Sequence, residues 1–201
     1  MISTRSKQKR PVSFSTMQAR FQQAQEERRR LIPASNDALN RSKRAIFALH
    51  RDDLTGAVIL LKEAAELLDG VERGCKRSPE LAGEGSYQAA LEEYAEAVLF
   101  RTFLQKGTFD TSDRRILKPS VFLGGLADAT GELVRYAVRQ ATRGQAADVR
   151  RIHEMVDMAV AYLLELDLTG NLRQKLDQAK RNLRSLEDML YDLTLKARIA
   201  P

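Results

Sequence analysis

The chain reads as an all-α protein of six or seven helices, and three observations carry that reading. Only five prolines and eleven glycines interrupt 201 residues. No stretch has the β-branched, period-two alternation of a strand, and apolar residues recur instead at steps of three and four. A hydrophobic share of 43% beside 30% charged residues supports one globular core and excludes a collagenous, mucin-like or wholly disordered chain.

Taken in order, residues 1–14 hold Arg5, Lys7, Lys9 and Arg10 with little apolar content and read as a disordered basic tail, leaving 15–201 as a single domain. Ser15 with Gln18 has capping-box spacing, and helical composition continues to about Arg51 with Pro33 as a kink or restart. Asp52 is the expected N-cap of a second helix, with an apolar stripe of Leu54, Val58, Leu61, Ala65 and Leu68, ending at Gly70 or Gly74. Ser78-Pro79-Glu80 starts a short turn, and a stronger helix follows from about Ser86 to Lys106, closed by Gly107. The segment 107–118 is the longest expected loop. Pro119-Ser120 opens a helix that ends near Gly144, and another, from about Ala146 to Leu168, buries Val149, Ile152, Val156, Val160 and Leu163. The last helix alternates steps of four and three through Leu172, Leu176, Ala179, Leu183, Leu186, Leu190, Leu193 and Ala197. That is a heptad seam, whose partner helix belongs either to the same chain or to a second subunit.

With 33 Lys+Arg against 27 Asp+Glu the net charge is +6, which favours polyanionic partners. The single cysteine, Cys75, cannot form an intrachain disulfide, and no apolar run approaches the ~20 residues of a membrane span. A cytoplasmic protein is the expectation.

Zinc and nucleophile schemes fail because the two histidines, His50 and His153, stand far apart and away from Cys75; each reads as a structural helix residue. Gly124, Gly125 and Gly131 lie inside a helix, where they serve close packing and not a phosphate loop. Carboxylates remain. Glu93 and Glu96 share one helical face at i, i+3, and Asp128 and Glu132 share another at i, i+4. Facing each other, the pairs offer four hard oxygen ligands, a set for Mg²⁺ or Mn²⁺. The spacing is common, since Glu63/Glu66 and Glu154/Asp157 repeat it. The surroundings are not: Leu91, Tyr94, Ala97, Val98 and Phe100 border the first pair, and a partly buried acid cluster needs a cation. Asp128, Glu132, Arg135, Arg139 and Arg143 then fall within an ~80° stripe of one helix. An acidic patch running into a basic rail suits a phosphodiester enzyme, while i, i+3 and i, i+4 salt bridges on a wet face explain the same stripe without function.

At these residues the sequence resembles the translin and translin-associated factor X family. Glu93-Tyr94-Ala95-Glu96-Ala97-Val98-Leu99-Phe100 is similar to the factor X acidic motif, and the run from Phe122 to Leu133, with Gly124-Gly125, Asp128 and Glu132, to its second motif. The segment from Ser42 to Arg51 matches the family's first long helix. The likeness spans roughly residues 20–198. It implies an all-α fold assembling into a hollow, usually octameric shell that binds single-stranded RNA or DNA inside, alone or with a translin-like subunit. It further implies that Glu93, Glu96 and Asp128 correspond to catalytic acids of Mg²⁺-dependent endoribonuclease subunits, with Glu132 beside them. Translin's His- and Arg-rich early segment has no counterpart here, where Ser78 to Gly85 stand, so RNA contact falls to Lys43, Arg44, Arg51, Arg135 and Arg139.

Three functions follow. A metal-dependent endoribonuclease of single-stranded RNA is the leading reading; a non-catalytic nucleic-acid-binding subunit and an all-α nucleoside triphosphate pyrophosphohydrolase are the alternatives.

Overall fold

A computed structural model describes residues 13–199, and all regular structure there is helical. Six α-helices follow one another: α1 Phe14–His50, α2 Leu54–Arg77, α3 Gly85–Lys106, α4 Pro119–Thr142, α5 Ala146–Leu164 and α6 Gly170–Ile199. Short 3₁₀ turns at Pro79–Gly83 and Arg114–Ile116 punctuate the connections on either side of α3. The expected basic tail lies outside the described residues except for Ser13 and Phe14, which already form the cap and first residue of α1.

The helices pack as two groups that share a centre. α1, α2 and α3 touch one another, α4, α5 and α6 do the same, and α3 against α4 joins the halves. The sequence of α3 explains its position. Tyr87, Ala90, Leu91, Tyr94, Ala95, Ala97, Val98, Leu99, Phe100 and Phe103 are all buried and occupy nearly the whole circumference. A helix apolar all round must be surrounded, so any acid on it is drawn out of water with it.

Several boundaries differ from expectation for local reasons. Ser13, not Ser15, caps α1, its hydroxyl accepting from the Thr16 backbone N–H. Pro33 sits inside α1 without ending it, because the carbonyl that loses its partner belongs to exposed Arg29 and can turn to water. Asp53, not Asp52, caps α2: its carboxylate accepts from the Gly56 N–H at 2.8 Å, while Asp52 takes a φ of 63° to close the turn from α1. Gly70 and Gly74 do not stop α2. Gly74 is buried where α1 passes, and a Cβ there would stand 3.4 Å from the Glu27 carboxylate. Leu54 and Val58 stay exposed, and the buried stripe of α2 instead runs through Ala57, Leu61, Ala64, Ala65, Leu68 and Val71. Gly107 ends α3 at φ 74° as expected, whereas α5 stops four residues early, at Leu164.

The heptad seam of α6 is used within the chain as far as Leu186. Leu176, Ala179 and Leu186 are buried, with α4 and α5 as neighbours, while Leu183, Leu190 and Leu193 are half-buried at the edge of the core and Ala197 is exposed.

Candidate functional site

The site begins with the glycine pair of α4. A Cβ on Gly125 would meet the Ala95 Cβ at 2.5 Å and the Glu96 backbone nitrogen at 2.9 Å; one on Gly124 would meet the Glu92 carboxyl carbon at 3.1 Å. Without side chains at these two positions, α4 lies directly on the acidic segment of α3. One turn further along α4 comes Asp128 and a turn beyond it Glu132, so the close crossing brings all four expected acids into one neighbourhood.

Their electrostatics are those of a cluster short of positive charge. Burial pushes the Glu96 carboxyl up to about 9, and Glu93, Asp128 and Glu132 add to the shift by repulsion. Glu93 is raised in the same way, first by burial, with Lys43 opposing and Asp128 and Glu132 reinforcing. Among the described residues Glu96 has neither an ion pair nor a side-chain hydrogen bond.

The other acids have partners from distant elements. His50 of α1, with 7% of its side chain exposed, directs Nε2 at the Glu132 carboxylate and stacks tilted against Phe100 at 4.9 Å. Lys43, two turns earlier on the same face of α1, stands 3.9 Å from Glu93. Lys175 of α6 reaches in from the opposite side, 3.1 Å from Glu92 and in contact with Asp128. Burial alone would lower the Lys175 pKa, but the two carboxylates reverse this and raise it. Arg135 lies 3.8 Å from Glu132.

Among the described residues no three Asp, Glu, His or Cys side chains are placed to hold one metal ion. The donor set nonetheless has the chemistry of a hard divalent cation: oxygen ligands, partly buried, with one carboxylate, Glu96, that has no ion pair among the described residues and only the more distant Lys175 charge to oppose its neighbours. The placements account for the missing trio, since Asp128 and Glu92 turn to Lys175 and Glu132 turns to His50.

The basic residues divide. Lys43, Arg44, Arg51 and Arg135 are exposed, Arg51 lying over the Phe47 ring at 5.6 Å. Arg139 is drawn back, bonding Asp52 of the α1–α2 turn, and Arg143 reaches the same carboxylate at 3.4 Å. The rail predicted along α4 is therefore partly neutralised beyond Arg135. Three contributors escaped the sequence reading: His50, taken as structural, Glu92, and Lys175. One local signal was available for His50, since its seven-residue interval from Lys43 places both on one face of α1. Nothing near Lys175 in the sequence marks it.

The sequence profile of the Translin family matches residues 26–197. Translin-associated protein X of Rattus norvegicus is 26% identical over 234 aligned positions, spanning 94% of this chain and 80% of the rat protein. Among solved structures, AfC3PO superposes with a TM-score of 0.84 at 25% identity, over 94% of this chain and 100% of that one. A structure of AfC3PO with duplex RNA shares the fold at a TM-score of 0.81 and 23% identity, over 94% and 100% of the two chains. With the family profile covering most of its length, and with helices in the same arrangement, this chain belongs to the Translin family.

Proposed function

We propose that the chain is a metal-dependent endoribonuclease acting on single-stranded RNA, in the manner of a translin-associated factor X subunit. The observation that carries this reading is Glu96: a half-buried carboxylate without an ion pair or side-chain hydrogen bond, beside Glu93 on α3 and near Asp128 and Glu132 of α4. A fold that only needed stability would have neutralised or replaced it. Glu93, Glu96, Asp128 and Glu132 would hold Mg²⁺, with Mn²⁺ as a substitute. When bound, the metal supplies Lewis acidity and an activated water at the scissile phosphate. His50 orients Glu132, and the exposed Lys43, Arg44, Arg51 and Arg135 bind neighbouring phosphates of the strand, with Arg139 once released from Asp52.

The RNA complex formed by AfC3PO supports RNA as the polymer, and single-stranded DNA is a second ligand of the same basic surface. Exposed Phe14, Met17 and Phe21 at the start of α1 and Tyr191 and Leu195 on α6 support an oligomer, a shell of identical subunits or one shared with a translin-like chain. Among the described residues no helix is long and apolar enough to cross a membrane, and a cytoplasmic site of action is part of the proposal.

Incubation with labelled single-stranded RNA, duplex RNA and dNTPs, with and without Mg²⁺, tests the reading. Cleavage of single strands that stops on chelation while binding persists is the expected result. Metal-independent binding without cleavage would establish the non-catalytic subunit instead, a reading favoured by the engagement of Asp128 with Lys175. Hydrolysis of dNTPs alone would point to a pyrophosphohydrolase.

A further inference from the structure

The acidic cluster already contains a cation. Lys175 has only 17% of its side chain exposed, and its ammonium lies between two acids from different helices, Glu92 of α3 and Asp128 of α4. It is not a surface lysine that happens to fold inward. Seven residues later on the same face of α6, Asn182 donates through Nδ2 to the Thr130 hydroxyl at 2.8 Å. Leu176, Ala179 and Leu186 are buried along the adjoining stripe. α6 is thus locked in register on α4, and this register delivers Lys175 to Asp128.

The consequence is visible in the arrangement of the acids. The two carboxylates that face Lys175 are turned to it, and no three potential ligands are grouped around a common point among the described residues. An ammonium and a divalent cation compete for the same oxygens, so the lysine and a metal cannot both be fully served.

We propose that Lys175 is an internal counter-ion that holds the acidic cluster closed, and that a divalent cation binds there by displacing the ammonium from Asp128 and Glu92. The inference rests on the reading of Glu93, Glu96, Asp128 and Glu132 as metal ligands. It assigns Lys175 a positioning role: the ammonium keeps the acids together in the metal-free protein and sets the metal concentration at which the site fills.

Calorimetric titration of the full-length protein with Mn²⁺ tests this, comparing wild type with Lys175→Met, Lys175→Arg and Glu96→Gln. Removal of the competing charge should tighten Mn²⁺ binding on the order of tenfold. Lys175→Arg, which keeps the charge, should retain an affinity close to wild type, a contrast that loss of packing alone would not produce. Mn²⁺ should also raise the thermal midpoint more in Lys175→Met than in wild type. Should the methionine variant fail to fold, Lys175→Gln carries the same expectation. Equal or weaker Mn²⁺ affinity in the uncharged variants, with Glu96→Gln still abolishing binding, would overturn the counter-ion role and leave the metal site intact. Absence of Mn²⁺ binding in wild type and uncharged variants alike would overturn the metal site and this inference together.

Discussion

Two clusters of charge flank α3, and they treat their carboxylates in opposite ways. At 3.6 residues per turn, Tyr94 lies about 160° round the helix from Glu96. On the Tyr94 side every acid is matched. Asp69 receives a two-pronged bond from Arg115 at 2.9 Å and a further contact from Arg114 at 2.8 Å, Asp113 accepts from both Tyr94 and Arg115, and Glu72 pairs with Arg114 at 2.7 Å. The Arg115 guanidinium holds the Asp69 carboxyl below its ordinary range, and Arg114 does the same for Glu72. On the Glu96 side the acids outnumber their partners, and the Glu93 and Glu96 carboxyls are raised. The first arrangement ties the loop before α4 to α2; the second tolerates unfavourable charge at the centre of the fold. That difference is the ground on which the proposed function assigns the site to the acidic crossing and a framework role to the arginine cluster.

The largest expected effect comes from removing the unmatched acids. Glu96→Gln, Glu93→Gln and Asp128→Asn should each lower single-strand cleavage by at least about a hundredfold, because each takes a charged oxygen ligand from an all-oxygen site. Glu96→Gln should at the same time raise the thermal midpoint of the metal-free protein. The sign follows from linkage: a carboxyl raised from 4.5 to about 9 binds more protons folded than unfolded between those values. Stability is therefore lost as pH rises through that interval, and the glutamine escapes the loss. A midpoint lowered by Glu96→Gln, or unchanged cleavage, would erase the contrast between the two clusters.

Gly125→Ala probes the crossing itself. A methyl group 2.5 Å from the Ala95 Cβ must push α4 off α3, at about 2 kcal/mol, and carry Asp128 away from Glu96. Cleavage should fall further than the lost stability accounts for, read as activity per folded molecule at a temperature well below the midpoint. Full activity would show that the close approach serves packing only.

Arg115→Ala tests the matched cluster. It leaves Asp69 with Arg114 alone and Asp113 with Tyr94 as its remaining side-chain partner, each acid about one-fifth to one-quarter exposed, and after allowance for screening should cost about 1–2 kcal/mol by urea unfolding, with cleavage by the folded protein unchanged. The acid limb should move as well. Lowered carboxyls contribute stability that is complete above their ordinary pKa near 4 and disappears as pH falls through the depressed value. Wild type should thus lose stability on acidification below about pH 4, and Arg115→Ala should have less to lose there.

The smallest effects belong to the basic rail. Arg135→Ala and Arg44→Ala should weaken RNA binding nearly independently of sequence and flatten the salt dependence by roughly 0.7 per lost contact on single strands. Arg139→Ala should change it less, because its guanidinium is already committed to Asp52. Equal slopes for all three would mean that RNA draws Arg139 away from Asp52.

What the sequence determined by itself is short-range. Helix order follows from three- and four-residue periodicity, the end of α3 from Gly107, and the cofacial pairs Glu93/Glu96 and Asp128/Glu132 from the geometry of a single turn. Gly124-Gly125 was legible as a packing feature for the same reason, since a glycine pair in a helix marks a close neighbour. Caps moved by one or two residues where adjacent candidates competed, as Asp52 and Asp53 did, because the choice depends on the direction in which the chain leaves α1. What only the tertiary structure decided is which charges meet. His50 reaches Glu132 from 82 residues away, Lys175 reaches Asp128 from 47, and Arg139 turns back to Asp52 across 87. No local periodicity encodes those meetings; they follow from how α1 and α6 pack on the α3–α4 pair. Burial decides the rest, since the same i, i+3 spacing at Glu63/Glu66 leaves Glu66 on the open face of α2, while at Glu93/Glu96 it lies on the helix that the rest of the chain surrounds.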